Sequence, residues 1–406
     1  MPAARLTLRG LIADATALDF TRPLPAAVLA VVYLLSRLPW IGIGYGADPD
    51  AARVAVSAHY FWDTGIYYPS RLPGYPLYEF VATLLYPLGH VVTNLATLIV
   101  SFAGVLLFAA ILKRLRIEPK GLLTLTFAFA PMIWINSSIT LDYLWGVTFV
   151  LAAYLAAIER RPLLGGVLFG IAIGCRPTIA LLALPFFVLL ARERQARPLL
   201  TFFAATGVTA FVAFLPVMAN YGLSFLNFFD VRPTWGKFAR TLGVEAFGLA
   251  TMLGFIAVAL LSWRRFLRLP FLLRRDVHLA FAVLAILLVG MSFMRLPLEE
   301  AYLTPIVPFL LIGSARLLSR PALVAVCLLL VAGGLVDFHT TSEQGWTQPV
   351  AALTGIRPQP GRVLVDHELR QHRMKVAKGM RELDLPPNSV VTAGFYYPIF
   401  LAEYYD

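Results

Sequence analysis

Charge is what this sequence has least of: only 14% of its 406 residues are charged. Soluble domains carry about 25%, so one water-soluble globule covered in polar surface is excluded. Cysteine is equally scarce. Cys175 and Cys327 lie far apart inside apolar runs, which excludes a disulfide framework, and they read as small packing residues. The six histidines form no HExxH or Cys/His spacing, so no zinc site is expected. His59 and His90, on the outer side, read as loop residues. No basic-aromatic patch is present, and the net charge of +11 therefore does not imply a nucleic-acid partner. An internal repeat of the kind that marks many transporters is missing too. No small-residue cleavage site follows the first apolar run, so that run is expected to remain as a helix and not to leave as a signal peptide.

What fills the chain is apolar sequence. Hydrophobic residues make up 59%, and the mean hydropathy is +0.74. Apolar stretches near 24–43, 91–112, 121–136, 141–158, 162–175, 178–191, 199–219, 243–263, 277–294, 301–318 and 321–338 read as about eleven membrane-spanning helices. The pair at 162–191, broken by Arg176-Pro177, reads as two short helices or a re-entrant pair. The interval 77–89 is too short to span and reads as an interfacial helix. The expected fold class is therefore an all-α integral membrane protein.

The loops give its orientation. Nineteen Lys and Arg lie in alternate loops from Arg5, Arg9 and Arg22 through Arg316 and Arg320, against seven in the opposite set. Positive residues mark the cytoplasmic side. The N-terminus is then cytoplasmic and the C-terminus non-cytoplasmic, in a multi-pass protein of a bacterial inner (plasma) membrane. The domain reading is a membrane domain over 1–338, with a large first outer loop at 44–90, and a soluble outer tail over 339–406. The tail reads as small and α/β-like: a helix near 367–383, a Pro-Pro-Asn turn and the strand-like NSVVTAG. It is either a cap on the outer face or part of a larger domain.

Chemistry-bearing residues gather at the outer level. Asp48-Pro49-Asp50 offers two carboxylates at i and i+2, able to act as a general base or hold a cation. A pair of solvated loop acids is the plain alternative. SRLPGYPLYE, from Ser70 to Glu79, forces a rigid turn through Pro73, Gly74 and Pro76 and offers Tyr75 and Tyr78 as headgroup-level rings. An ordinary turn into an interfacial helix would read the same. Arg37, Asp142, Arg176, Arg295, Glu299 and Glu300 are ionisable residues at outer helix ends, where charge is costly and is either paired or functional. Arg37 is expected to snorkel toward the outer surface. Arg176 and Arg295 suit a lipid-linked phosphate through bidentate contacts. A structural Arg–Asp network is the alternative.

These residues together resemble the GT-C glycosyltransferases, polytopic enzymes that use lipid-phosphate-linked sugars on the non-cytoplasmic side. The resemblance is closest to the subgroup of animal protein O-mannosyltransferases. Its layout covers about residues 24–320 and is closest over 44–160. Ala47-Asp48-Pro49-Asp50 looks like that subgroup's acidic loop start. Arg71-Leu72-Pro73-Gly74-Tyr75-Pro76-Leu77-Tyr78 looks like its H-P-P-G-Y-P-L-Y motif, with Arg71 and Leu72 in place of His and Pro. GGVLFGIAIGCRPT resembles its fifth span.

The resemblance implies Asp48 as the general base and Asp50 as its assistant or the residue that orients the acceptor. It implies Arg295, Arg176 and Arg71 as ligands of the donor phosphate, and a pocket including Asp142, Tyr75, Tyr78, Glu299, Glu300 and Tyr302. The implied partners are a polyprenyl-phosphate sugar donor, the bilayer, and an acceptor that is a protein, a lipid or a glycan. No cofactor is firmly implied, and a divalent metal is left open. The competing functions are a polytopic transporter or lipid flippase, a lipid-linked polymerase or ligase of another fold, and a non-catalytic membrane assembly protein.

Overall fold

A computed structural model describes residues 18–192, 195–224, 235–297, 299–340, 356–383, 386 and 394–405. The first half is a succession of helices: α1 (Pro23–Ile41), α2 (Pro49–Thr64), α3 (Pro76–Leu85), α4 (Gly89–Arg114), α5 (Lys120–Phe129), α6 (Pro131–Asn136), α7 (Tyr143–Ile158) and α8 (Pro162–Cys175). Then come α9 (Ala183–Ala191), α10 (Ala196–Tyr221), α11 (Leu249–Leu261), α12 (Val277–Arg295), α13 (Ile306–Leu317) and α14 (Arg320–Leu335). Proline opens α1, α2, α3, α6 and α8. At that position its missing N–H costs nothing and its fixed φ already suits a helix.

Among the described residues, four helical stretches are long and apolar enough to cross a membrane: α1, the 39-residue run through α3 and α4, α10 and α12. Shorter apolar helices are α5, α7, α8, the segment Pro177–Ala191, α11, α13 and α14. Each apolar stretch expected from the sequence overlaps one of these, with α5 and α6 together filling 121–136, while the helices within 243–263 and 301–318 begin only at Leu249 and Ile306. The interval 77–89 is α3 plus a 3-10 turn at Tyr86–Leu88. Gly89, at φ +79°, sets it off from α4, a conformation that side chains resist. At 162–191 the chain breaks because Pro177 disfavours helix at the residue before it. Arg176 is extended there (φ −150°, ψ 103°), and a 3-10 turn leads into α9.

α8 is held by glycines. A side chain at Gly166 would collide with the Phe202 carbonyl, and a Cβ at Gly170 would lie 2.9 Å from the Thr206 carbonyl oxygen. Small residues thus let α8 and α10 approach closely. Tilted ring pairs fill the space around them: Phe169 and Phe186 are 4.6 Å apart, and Tyr154 and Phe281 are 4.5 Å apart. The effect is to fix the end of α8, and with it Arg176.

Two expectations need correction. Arg37 does not snorkel; it is fully buried. Its guanidinium lies 3.7 Å from the Tyr33 ring centre and 4.4 Å from that of Trp134, and it donates to the Ala128 carbonyl. Neighbouring aromatic faces, not water, solvate it. The last apolar stretch, expected to run to 338, ends at Leu335 and passes into β1 (Val336–Thr340). β1 pairs antiparallel with β2 (Ile356–Pro360), Val336 opposite Pro360, a hairpin that the sequence reading lacked. Of NSVVTAG, residues 388–393 lie outside the described residues.

The expected tail helix is α15 (Arg362–Arg381), and α16 (Tyr397–Tyr405) follows. Ala377, Ile399 and Ala402 are buried in the same apolar cluster as Tyr45, Ala51, Ala55 and Ile139. The tail therefore shares its packing with the first loop.

Candidate functional site

The site grows from the start of α2. Asp48 is its N-cap, and its Oδ1 accepts from the Asp50 amide at 2.9 Å. The cap aims both carboxylates along the helix start, toward the loop before α13. There Glu299 completes a triad: one oxygen each from Asp48, Asp50 and Glu299 lie within 4.8 Å of one another. Tyr143 donates to Glu299 Oε2 at 3.0 Å.

Beside the triad runs an ionic ladder. Arg53 Nη1 is 3.1 Å from Asp50 Oδ1, and Arg71 Nη1 is 3.2 Å from Asp50 Oδ2. Arg71 Nη2 reaches Asp142 Oδ1 at 2.6 Å, and Arg176 Nη1 reaches Asp142 Oδ2 at 2.6 Å. Asp142 is fully buried and Arg176 nearly so. The guanidiniums also lie over rings: Arg71 is 4.3 Å from Tyr75, and Arg176 is 4.0 Å from Tyr143 and 5.2 Å from Tyr302.

Each rung has a local cause. Arg71 is set by the Pro-rich turn, which wraps around buried Glu79. That carboxylate accepts from the Ser70 amide at 2.9 Å, the Tyr75 amide at 3.2 Å, and the Tyr67 and Ser70 hydroxyls. Asp142 is set by the polar run before α7, which is tied down residue by residue. Ser137 accepts from Arg37 at 3.3 Å, the Ser138 carbonyl accepts from Arg370 at 2.9 Å, and Thr140 donates to Asn94 at 2.8 Å. Arg176 is set by the break at Pro177.

Electrostatics follow from crowding. Burial, then the charges of Glu299 and Asp50, push the Asp48 carboxyl well above its usual range, with Arg71 opposing. Burial likewise raises Glu299. The Asp48 and Glu299 carboxyls are hydrogen-bonded to each other, and their closeness favours the protonated form of Asp48. Arg71 stays charged.

The residues expected from sequence fall into three sets. Asp48, Asp50, Arg71, Tyr75, Asp142, Arg176, Glu299 and Tyr302 come together. Tyr78 lies behind them, buried edge-on against Trp145 at 5.5 Å. Glu300 and Arg295 do not join. Glu300 pairs with Arg362 of α15 at 2.9 Å, one residue past Glu299 and turned the other way. Arg295 ends α12 with an exposed side chain and takes no part in the ladder. Its place at the end of an apolar stretch did not give its direction around the helix.

Glu79 and the α15 arginines carried no sequence expectation of a role. An acid in the first turn of a helix, directly after a turn rich in free amides, was the available signal for Glu79. α15 gave none, because nothing local says what it docks against.

The three carboxylate oxygens are a hard donor set of the kind that suits Mg²⁺ or Mn²⁺. A broad groove of about 1130 Å³ opens nearby between Gly44, His90, His372 and Lys375, but Asp48 does not line it. No protein-family model, curated protein or solved structure matches the chain.

Proposed function

We propose that this chain is a membrane glycosyltransferase of GT-C-like architecture, with eleven spans, a cytoplasmic N-terminus and its site on the non-cytoplasmic face. It moves a sugar from a polyprenyl-phosphate donor to an acceptor hydroxyl. The observation that carries this reading is the pairing of a crowded carboxyl, Asp48, with two fixed guanidiniums, Arg71 and Arg176, reached through Asp50 and Asp142. A base beside preorganised cations is what displacement of a phosphate demands.

Asp48 takes the proton of the acceptor hydroxyl as its oxygen bonds to the anomeric carbon. The bond from that carbon to the phosphate oxygen breaks, and the electron pair leaves with the phosphate. A single in-line step inverts the anomeric centre. Asp50 and Glu299 orient Asp48, and Arg71 and Arg176 stabilise the departing charge. A divalent cation held by Asp48, Asp50 and Glu299 would polarise the leaving phosphate.

The test is Asp48→Asn in the full chain, assayed for transfer from a polyprenyl-phosphate sugar. A positioned base contributes about 10²–10⁴-fold, so a loss of that size is expected. Full transfer by the variant would sink the mechanism.

A further inference from the structure

The tail helix brings one more cation to this site. α15 is fastened on a single face. Arg370 is fully buried, donates to the Ser138 carbonyl at 2.9 Å and the Ile135 carbonyl at 3.1 Å, and pairs with Asp366 at 2.8 Å. Ala377 is buried against the first loop, and Met374 packs on Gly44, where any Cβ would collide with it. The His367 ring lies 4.8 Å from Trp40. Arg362 holds Glu300, the neighbour of Glu299.

Arg373 is three residues after Arg370 and four before Ala377, so it shares their face. It is half-buried and adjoins Met374, whose contact on Gly44 lies four residues before Asp48 in the first loop. α16, which packs along α2, closes the same corner from the other side.

Resting on the reading above, we propose that Arg373 is a further donor-binding residue, placing its guanidinium on the aqueous side of the Asp48–Glu299 pair to bind the donor's phosphate. Burial disfavours its charge, while the carboxylates of Asp48, Asp366 and Glu299 favour it. Four carboxylates (Asp48, Asp50, Asp142 and Glu299) crowd the site, and Arg71 and Arg176 are already shared with Asp50 and Asp142. Arg53, Arg71 and Arg176 each already pair with a carboxylate, so a cation arriving from the open side gives an entering phosphate a further partner. Arginine suits that role, because its fork can leave a carboxylate for a phosphate.

The experiment uses the full chain in detergent micelles and a polyprenyl monophosphate as the probe. Binding and transfer kinetics are measured for the wild type, Arg373→Gln, Arg373→Lys and Asp48→Asn, with melting temperatures for each. We expect Arg373→Gln to weaken probe binding and raise the donor KM by about tenfold or more, as loss of one charged contact does. kcat and acceptor KM should change less, and Arg373→Lys should recover part of the loss. Asp48→Asn should bind the probe and fail to transfer.

Unchanged probe binding by Arg373→Gln overturns the assignment while leaving the glycosyltransferase reading standing. A rise confined to the acceptor KM overturns it in favour of an acceptor role. A wild type that neither binds the probe nor transfers sugar overturns both. If Arg373→Gln melts early, Arg373→Lys decides: wild-type melting and donor KM support the proposal, and wild-type melting with a donor KM as poor as that of Gln overturns it.

Discussion

Arg37 and the Arg71–Arg176 pair are held inside this protein by opposite means. Arg37 is enclosed by Tyr33, Phe129 and Trp134 and spends its donors on Ser36, Ser137 and the Ala128 carbonyl; among the described residues no carboxylate pairs with it. Arg71 and Arg176 share one fully buried aspartate, with Asp50 as a further partner of Arg71. The first arrangement is neutralised by rings and dipoles, needs no second ionised group and faces no acidic cluster. The second is a set of mutually dependent charges beside Asp48 and Glu299. Charge at membrane depth therefore does not identify a site by itself; the identity of its partner does.

Breaking the ladder should have the largest effect. Asp142→Ala leaves two buried guanidiniums without their common acid, and such a loss costs about 3–5 kcal/mol. Thermal melting should fall sharply, and unchanged melting would mean that the ladder is not a coupled unit. Arg37→Met removes a charge that has no counter-ion and leaves carbonyl acceptors unmet, at about 1–3 kcal/mol. Sugar transfer per folded molecule should persist; losing it would erase the distinction between the two sites.

A subtler shift concerns Asp48. Its folded-state carboxyl is raised by burial and by Glu299 and Asp50, against Arg71, with Tyr143 and Arg373 also facing the pair. The folded protein then holds a proton that the unfolded chain has released above its ordinary value of 3.8. That contribution is present below that value and is lost as pH rises through the raised one. Melting temperature should therefore decline with rising pH across that window, while transfer, which needs the free base, should climb. Asp48→Asn should melt higher than the wild type at neutral pH and lack the decline; an identical pH profile would contradict the crowded-carboxyl picture. The smallest effect belongs to Arg295→Ala. An exposed side chain outside the ladder should change stability by about 0.5 kcal/mol or less and leave transfer intact, and a large loss of transfer would restore it to the site.

Much of the site was legible because local rules carry it. Asp48-Pro49-Asp50 is a helix cap followed by an N1 proline, a start signal for α2 that the reading of 44–90 as an outer loop did not use. Arg176-Pro177 had to break a helix and leave Arg176 at its end. The Pro-Gly-Tyr-Pro turn had to be rigid, although nothing local said that Glu79 would be the carboxylate it closes around. Arg295 and Glu300 stand apart from the ladder for one reason. Loop position fixes which side of the membrane a residue is on, while its direction depends on how α12 and α13 rotate against their neighbours.

By itself, the sequence determined an apolar helical chain, the places where its helices start and break, and the gathering of its ionisable residues at one level. Hydrophobic length, proline and charge scarcity are local properties, and they act before any packing occurs. Only the tertiary structure decided which arginine meets which acid, that Arg37 lies in rings, and that the tail helix lies against the first loop. Asp142 lies 34 positions from Arg176 and 71 from Arg71, and Ser138 lies 232 from Arg370; packing between helices, not spacing along the chain, selects such pairings.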